Sequence, residues 1–342
     1  ELQISRKELL AGLMITKKRY YDREAVMRDI DSLQQAANDE GYAYAMVNPR
    51  TAPQDKEVTV DVNYQLTKGK QVYFNRITIT GNMKTRDKVI RRLLSVAEGD
   101  IYSKSKLKKS YMAINRLRYF EEIDFQSEKG PDETLTDINI RIREKPTGMF
   151  SIGAGYSALD SAMLFVQIAQ QNLFGKGQSL TLRGNLGGRS SSYELSFIEP
   201  WLFDIPLWTK ADIWKFYRDF DTYRRDSEGA GLTLGYPVWE NVTGYVGYRV
   251  SNDSVTNVSS NASSYVIKQE GSILSSAMTV TLTRDTTDDI MFPTTGSKNS
   301  LSVEYAGGIL QGDASFIKYI LNSSWFFPLP LPAWRRRQRS PF

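Results

Sequence analysis

The hydrophobic period of the chain changes across Arg143-Glu144-Lys145-Pro146-Thr147-Gly148. Before this point, segments with apolar residues every three or four positions are interspersed with segments that alternate residue by residue. After it, period two prevails as far as Leu329, and no amphipathic helix stands out. Such a switch marks a domain boundary. The later strands run to about ten residues, the length a tilted strand needs to cross a bilayer.

The earlier part contains an imperfect repeat. Asp22 is placed to cap a helix whose apolar face is Val26, Ile30, Leu33 and Ala37 and which stops at Gly41. Strands are expected over residues 42–50 and 58–66, where Val58, Val60, Val62, Tyr64 and Leu66 alternate with polar residues. The second copy opens with a strand over 72–80 that ends in Gly81-Asn82. Thr85 then opens a short helix carrying Val89, Ile90, Leu93 and Leu94, and Ser103 opens another carrying Leu107, Tyr111, Ile114 and Leu117. Strands at 120–126 and 135–143 complete a β-α-α-β-β unit, with Ile138, Ile140 and Ile142 toward its core. The first copy lacks the opening strand of this pattern.

Beyond the boundary, Phe150, Ile152, Ala154 and Tyr156 oppose Ser151, Gly153, Gly155 and Ser157. Leu180, Leu182 and Leu186 oppose Ser179, Thr181, Arg183 and Asn185, and Tyr193, Leu195 and Phe197 oppose Ser192, Glu194 and Ser196. The same alternation passes through Val246, Val280 and Val303 and gives about ten strands, one face for lipid and one for a polar lumen. Trp201, Phe203, Trp208, Trp239, Trp325, Phe326 and Phe327 fall near strand ends, where aromatic girdles sit. A soluble β-sandwich, its alternate residues facing a core, fits the same periodicity.

Composition narrows the chemistry. The 342 residues include no Cys and no His, which removes thiol nucleophiles, imidazole bases, disulfides and every Cys or His metal site. No residue is assigned a catalytic role, and no metal or cofactor is expected. A net charge of +5 is mild for this length and gives no argument for nucleic acid.

The residues also carry a resemblance. Ile79-Thr80-Gly81-Asn82, then Gly99-Asp100-Ile101-Tyr102-Ser103, then Leu117-Arg118-Tyr119-Phe120 resemble a POTRA domain, the polypeptide-transport-associated module. Asn172-Leu173-Phe174-Gly175-Lys176-Gly177, then Phe197-Ile198-Glu199-Pro200-Trp201, then Arg284-Asp285 leading to Phe292-Pro293-Thr294-Thr295-Gly296, resemble early-barrel motifs of the BamA and TamA family of outer-membrane assembly factors. The resemblance implies α+β POTRA domains at 1–69 and 70–146, followed by the N-terminal part of an antiparallel transmembrane β-barrel at 148–329. A basic tail at 330–342 departs from the family and is not expected to belong to the fold. The short strand count and the absence of the family's lid motif and closing strand read as a fragment at both ends.

The resemblance further implies a bacterial outer membrane with the POTRA domains in the periplasm. Implied partners are unfolded outer-membrane clients, accessory outer-membrane lipoproteins and the lipid bilayer, and no enzymatic activity is implied. The strand Phe120, Glu121, Glu122, Ile123, Asp124, Phe125 and Gln126 is the candidate edge for receiving a client or accessory chain by strand addition; ordinary structural pairing is the competing role. The strand Phe150, Ser151, Ile152, Gly153, Ala154, Gly155 and Tyr156 corresponds to the family's barrel seam, and its glycines ease bending. A two-partner secretion pore and a passive porin are the rival functions.

Three local matches have plainer readings. Gly153-Ala154-Gly155-Tyr156-Ser157-Ala158 fits a dinucleotide pattern but reads as a glycine-rich strand, because another strand follows where a helix is required. Asp285, Asp288 and Asp289 lack calcium-loop spacing and read as loop or lumen charges. Arg335-Arg336-Arg337-Gln338-Arg339 could meet phosphates but reads as a solvated run.

Overall fold

A computed structural model of the protein describes residues 6–18, 20–54, 59–157, 160–289 and 292–328. The expectations at Val58, Ala158, Leu159, Leu329 and the tail at 330–342 lie outside these residues. The chain divides into two compact units: the residues up to Pro146 together with Phe174–Lys176, a unit of helices and small sheets, and the residues from Thr147 to Leu173 and from Gly177 on, a unit of long strands.

The first unit opens with α1 (Arg6–Gly12) and a 3-10 turn (Ile15–Lys17), then α2 (Arg23–Asp39), β1 (Met46–Gln54) and β2 (Thr59–Thr67). The Asp22 carboxylate caps α2 by accepting from the N–H groups of Glu24 at 2.9 Å and Ala25 at 3.3 Å. Val26 and Ala37 are buried as expected. The same face also buries Asp29, which accepts from the N–H groups of Met14 and Ile15 at 2.5 and 3.0 Å and from the Tyr64 hydroxyl at 3.0 Å. Burial, then the neighbouring Asp29, pushes the Tyr64 phenol well above its ordinary range. β1 begins at Met46, four residues later than the alternation suggests. After Gly41, at φ 97°, the chain turns, with Tyr42 N–H bonded to Ala37 O and Ala45 N–H to Tyr42 O. β1 then continues through Pro49 and Pro53, which an edge strand tolerates.

The second repeat comprises β3 (Tyr73–Thr80), α3 (Asp87–Arg91), α4 (Lys104–Arg116), β4 (Phe120–Lys129) and β5 (Leu135–Glu144). Its sheet order is β3-β5-β4, with β3 parallel and β4 antiparallel to the central β5. Phe74, Val89, Ile90, Ile114, Ile138 and Ile140 are each at most 1% exposed and form its core. Ser103 caps α4, accepting from Lys106 N–H at 3.2 Å. Thr85 does not open α3, which starts at Asp87 with Arg86 at its N-cap, because the Thr85 hydroxyl is turned to the Glu144 carboxylate, which also holds its amide.

Among the described residues the second unit is one antiparallel meander of ten strands. In order they are β6 (Gly148–Ser157), β7 (Ser161–Leu173), β8 (Gln178–Gly187), β9 (Ser190–Glu199), β10 (Trp208–Asp219), β11 (Arg224–Trp239), β12 (Val242–Thr256), β13 (Gly271–Asp285), β14 (Gly296–Ala306) and β15 (Phe316–Phe326). A short α5 (Ser264–Ile267) lies between β12 and β13. The register aligns the apolar positions across every strand: Ile152, Val166, Gly184, Tyr193 in one row, and Leu182, Leu195, Ile213, Ala230, Val250 in another. Val246, Val280, Val303 and Tyr319 continue this face to β15. Its side chains stand exposed, Ile213 at 54%, Val280 at 51% and Leu321 at 74%. Among the described residues no second sheet covers them, so the sandwich reading fails and a lipid-facing belt remains. No helix of the described residues is long and apolar enough to cross a membrane.

The opposite face is polar but not uniformly so. Arg249 pairs with Glu304 at 2.6 Å and Lys210 with Asp212 at 3.2 Å. Between them stand Trp208, Trp214 and Tyr245, whose rings cross neighbouring strands where glycines leave room. A Cβ on Gly229 would come within 2.5 Å of Trp214, and one on Gly235 within 2.5 Å of Tyr245.

Candidate functional site

Neither of the two strands singled out for strand addition or seam formation is interior. Among the described residues β4 pairs with β5 alone, and β6 pairs with β7 alone. An edge strand presents unpaired N–H and C=O groups that another chain can use.

In the second repeat the sheet has two edges, and local chemistry fills one of them. Along β3, Phe74 N–H donates to Asp100 O at 2.9 Å, and Gly99 N–H to Phe74 O at 2.7 Å. Tyr102 N–H donates to Val72 O at 2.9 Å. Further along, Ile77 N–H donates to the Glu98 carboxylate at 3.0 Å and the Arg91 guanidinium to Ile77 O at 3.4 Å. The Gly99–Tyr102 motif thus lines β3 and leaves β4 as the open side. β4 carries a bulge between Phe120 and Glu122, a common edge device. Phe120 is buried, Ile123 and Phe125 are half-buried against the core, and Phe125 meets Tyr111 of α4 edge to face at 5.9 Å. Outward, Glu121 and Glu122 bracket Arg143 at 3.3 and 3.2 Å, and Asp124 accepts from Gln126 at 2.7 Å. These charges discourage indiscriminate pairing.

β6 is held differently. Phe150 and Ile152 are 65% and 64% exposed, Ser151 and Ala154 share the strand with them, and Tyr156 is 81% exposed. A Cβ on Gly153 would meet nothing within 4 Å, and one on Gly155 only the end of Met163 at 3.9 Å. No packing demand requires glycine at either position. Their effect is to weaken the strand that forms the edge. The dinucleotide reading fails here, since residues 148–157 are strand throughout and β7, not a helix, follows.

Because the meander alternates direction, the turns containing the family motifs all fall at the Gly148 end of the sheet. Within these turns the motif side chains hold the chain's own backbone. Asn172, at φ 52°, accepts from Gly177 N–H at 2.8 Å; Leu173 ends β7; Phe174 and Gly175 also take positive φ. Glu199 receives the Gln178 amide at 2.7 Å and Trp201 N–H at 2.9 Å, flanking Pro200. Asp285, next to Arg284, binds the Thr287 hydroxyl at 2.6 Å; Asp288 binds Thr294 and Thr295; Asp289 binds Phe292 N–H at 2.9 Å, next to Pro293. The three aspartates therefore act as turn builders, and the Thr294 hydroxyl, with backbone amides, holds the Asp288 carboxyl far below its ordinary range. Gly296, at φ 100°, has no room for a Cβ, which would lie 2.2 Å from Thr286 O. Trp201, Phe203, Trp208, Trp239, Trp325, Phe326 and Phe327 gather at this same end, forming one girdle.

In the second repeat, Gly81 at φ 89° presses against β5, where a Cβ would lie 1.9 Å from Ile142 O, and Asn82 donates to Thr85 O at 3.1 Å. The turn is pinned by Glu144, which accepts from the N–H groups of Lys84 at 2.8 Å and Thr85 at 2.6 Å. Burial pushes the Glu144 carboxyl up, but the Thr85 hydroxyl and these amides outweigh it and hold it below the ordinary range.

Comparison with known proteins agrees with this architecture. The sequence matches the Omp85 superfamily domain over residues 172–334 and the POTRA repeat over 1–69 and 72–145. It is 32% identical over 302 residues to the outer membrane protein assembly factor BamA of Nitratidesulfovibrio vulgaris, covering 88% of this chain and 38% of that one. To BamA of Neisseria meningitidis it is 28% identical over 350 residues, covering 96% and 43%. The crystal structure of BamA from Haemophilus ducreyi lacking POTRA domains 1-3 superposes with a TM-score of 0.70 at 24% identity, over 93% of this chain and 64% of that one. CdiB from Acinetobacter baumannii shares the fold more distantly, at TM-score 0.52 and 13% identity. The chain thus spans less than half the length of these curated relatives. With POTRA repeats leading directly into an apolar-belted meander, and with these relatives, the chain belongs to the BamA-type family of the Omp85 superfamily.

Proposed function

We propose that this chain is part of an outer-membrane protein assembly factor, its POTRA domains in the periplasm and its meander in the bilayer. The observation that carries the reading is an edge strand, β6, weakened by glycines that its packing does not require. An unfolded client cannot enter lipid strand by strand, since each unsatisfied amide in hydrocarbon costs several kcal/mol. An edge strand supplies ladder partners while the client's own strands form.

In this account β4 receives unfolded clients, or the chains of accessory outer-membrane lipoproteins, by strand addition. The client then pairs along β6 and is released when its own barrel closes. Pairing and release exchange hydrogen bonds only, so no residue acts as a catalyst of bond chemistry and no cofactor or nucleic acid takes part. Export of an extended polypeptide, as in a two-partner secretion pore, would need a continuous lumen and no exchange at β6. A passive porin would have no use for POTRA domains.

The readings separate on a double variant, Gly153→Val with Gly155→Val, in the full-length protein. Valine favours strand by on the order of 1 kcal/mol per site, so client assembly into vesicles should slow by about tenfold or more while β6–β7 becomes more protected. An unchanged assembly rate alongside greater protection would sink the templating role of β6.

A further inference from the structure

We propose that Asp160 is a positioning residue for β6, a clasp that fixes the far tip of the β6–β7 hairpin; its functional consequence rests on the templating role of β6. Asp160 lies in the turn between these strands, at the end of the sheet opposite Gly148. Its carboxylate receives Nη2 of Arg218 at 3.0 and 3.3 Å and the Ser190 hydroxyl at 2.9 Å. Its carbonyl oxygen receives Gly188 N–H at 2.9 Å. The Asp160 side chain is 13% exposed, which distinguishes the contact from a surface ion pair.

The partners come from other hairpins. Ser190 begins β9 and stands directly opposite Arg218 of β10 in the register. Arg218 also faces Arg225 of β11 across the next ladder. Asp160 thus supplies a negative group to a point where two arginines oppose each other, and ties the tips of three successive hairpins together. A second link runs beside it, with Arg189 paired to Asp221 at 2.6 Å and Asp219 N–H bonded to Arg189 O at 2.7 Å.

The clasp sits where β6 is weakest. The half of the strand nearest the tip contains Gly153 and Gly155, Tyr156 projects into the surroundings, and among the described residues only β7 lies alongside. Pairing there would fray without an anchor. With the tip fixed, β6 keeps one register toward an incoming strand, and opening is directed to the Gly148 end.

The test compares Asp160→Ala, Arg218→Ala and the double variant with the full-length protein in lipid vesicles. Hydrogen exchange at residues 154–157 and 161–164 should accelerate about tenfold in each single variant. The double variant should be no faster than either single one, because both remove the same contact. Exchange in the strands away from these three tips should stay unchanged, and client assembly should fall with tip protection. Unchanged tip exchange, or additive effects of the two substitutions, would overturn the clasp. Faster tip exchange with unimpaired client assembly would overturn its positioning role. A wild-type protein that assembles no client would count against the assembly reading, while tip exchange would still decide the clasp.

Discussion

Replacing Leu195 by arginine is expected to destabilise the membrane-inserted full-length protein by about 2 to 4 kcal/mol, the range for a charge near midplane on the lipid face of a barrel. Leu195 is the sixth residue of β9, and its register partners are Leu182 and Ile213, all on the apolar belt. The arginine would have no acidic neighbour on that belt within its row. The matched control is Asn185→Arg on the polar face, where Asn185 is exposed and bonds the Ser192 hydroxyl at 2.8 Å. Ser196 is a poorer control although it shares the polar face. It is only 7% exposed, so arginine there would be overpacked as well as charged. Urea titration of vesicle-folded protein measures both variants. A loss as large for Asn185→Arg as for Leu195→Arg would reverse the assignment of faces.

Phe74→Ala is expected to cost the second POTRA domain about 3 to 5 kcal/mol, the usual range for an emptied aromatic core site. Phe74 is 1% exposed and lies 5.4 Å from the Tyr102 ring, so the substitution removes the centre of the core beneath α3 and α4. A domain of this size has little more stability than that to lose. Limited proteolysis should therefore cut within 70–146 while β6–β15 keep wild-type protection in vesicles. Loss of protection in both units together would mean that they do not fold independently.

Much of this architecture is legible in the alternation of residues. Period two marks the strands of the meander because side chains in a strand must choose a face, and here the faces meet different solvents. Asp22 and Ser103 announce their helices because capping is a local interaction. What sequence conceals is long-range. Asp29 reads as an interruption of an apolar face, since its partners at 14, 15 and 64 come from elsewhere. The Asp160–Arg218 contact spans 58 positions, and no spacing rule joins them. Trp214 looks misplaced on a polar face until Gly229 of the next strand is seen to make room. Thr85 reads as a helix opener, but a carboxylate 59 residues away claims its hydroxyl and its amide. The candidate edges were nameable as strands. Their openness depends on the order β3-β5-β4 and on the segment that lines β3, which only the fold supplies.

The most direct measurement is disulfide crosslinking between β6 and a client strand in cells. Residues 1–342 contain no cysteine, so in a full-length protein whose remaining cysteines are replaced each introduced thiol is unique. Single cysteines along β6, at Ser151, Ile152, Gly153 and Ala154 in the full-length protein, are combined with single cysteines in the terminal strand of an assembling client. The account predicts crosslinks that follow one antiparallel or parallel register, shifting by one client residue for each step along β6. Crosslinks to β4 or to polar-face positions such as Thr281, with none along β6, would contradict it.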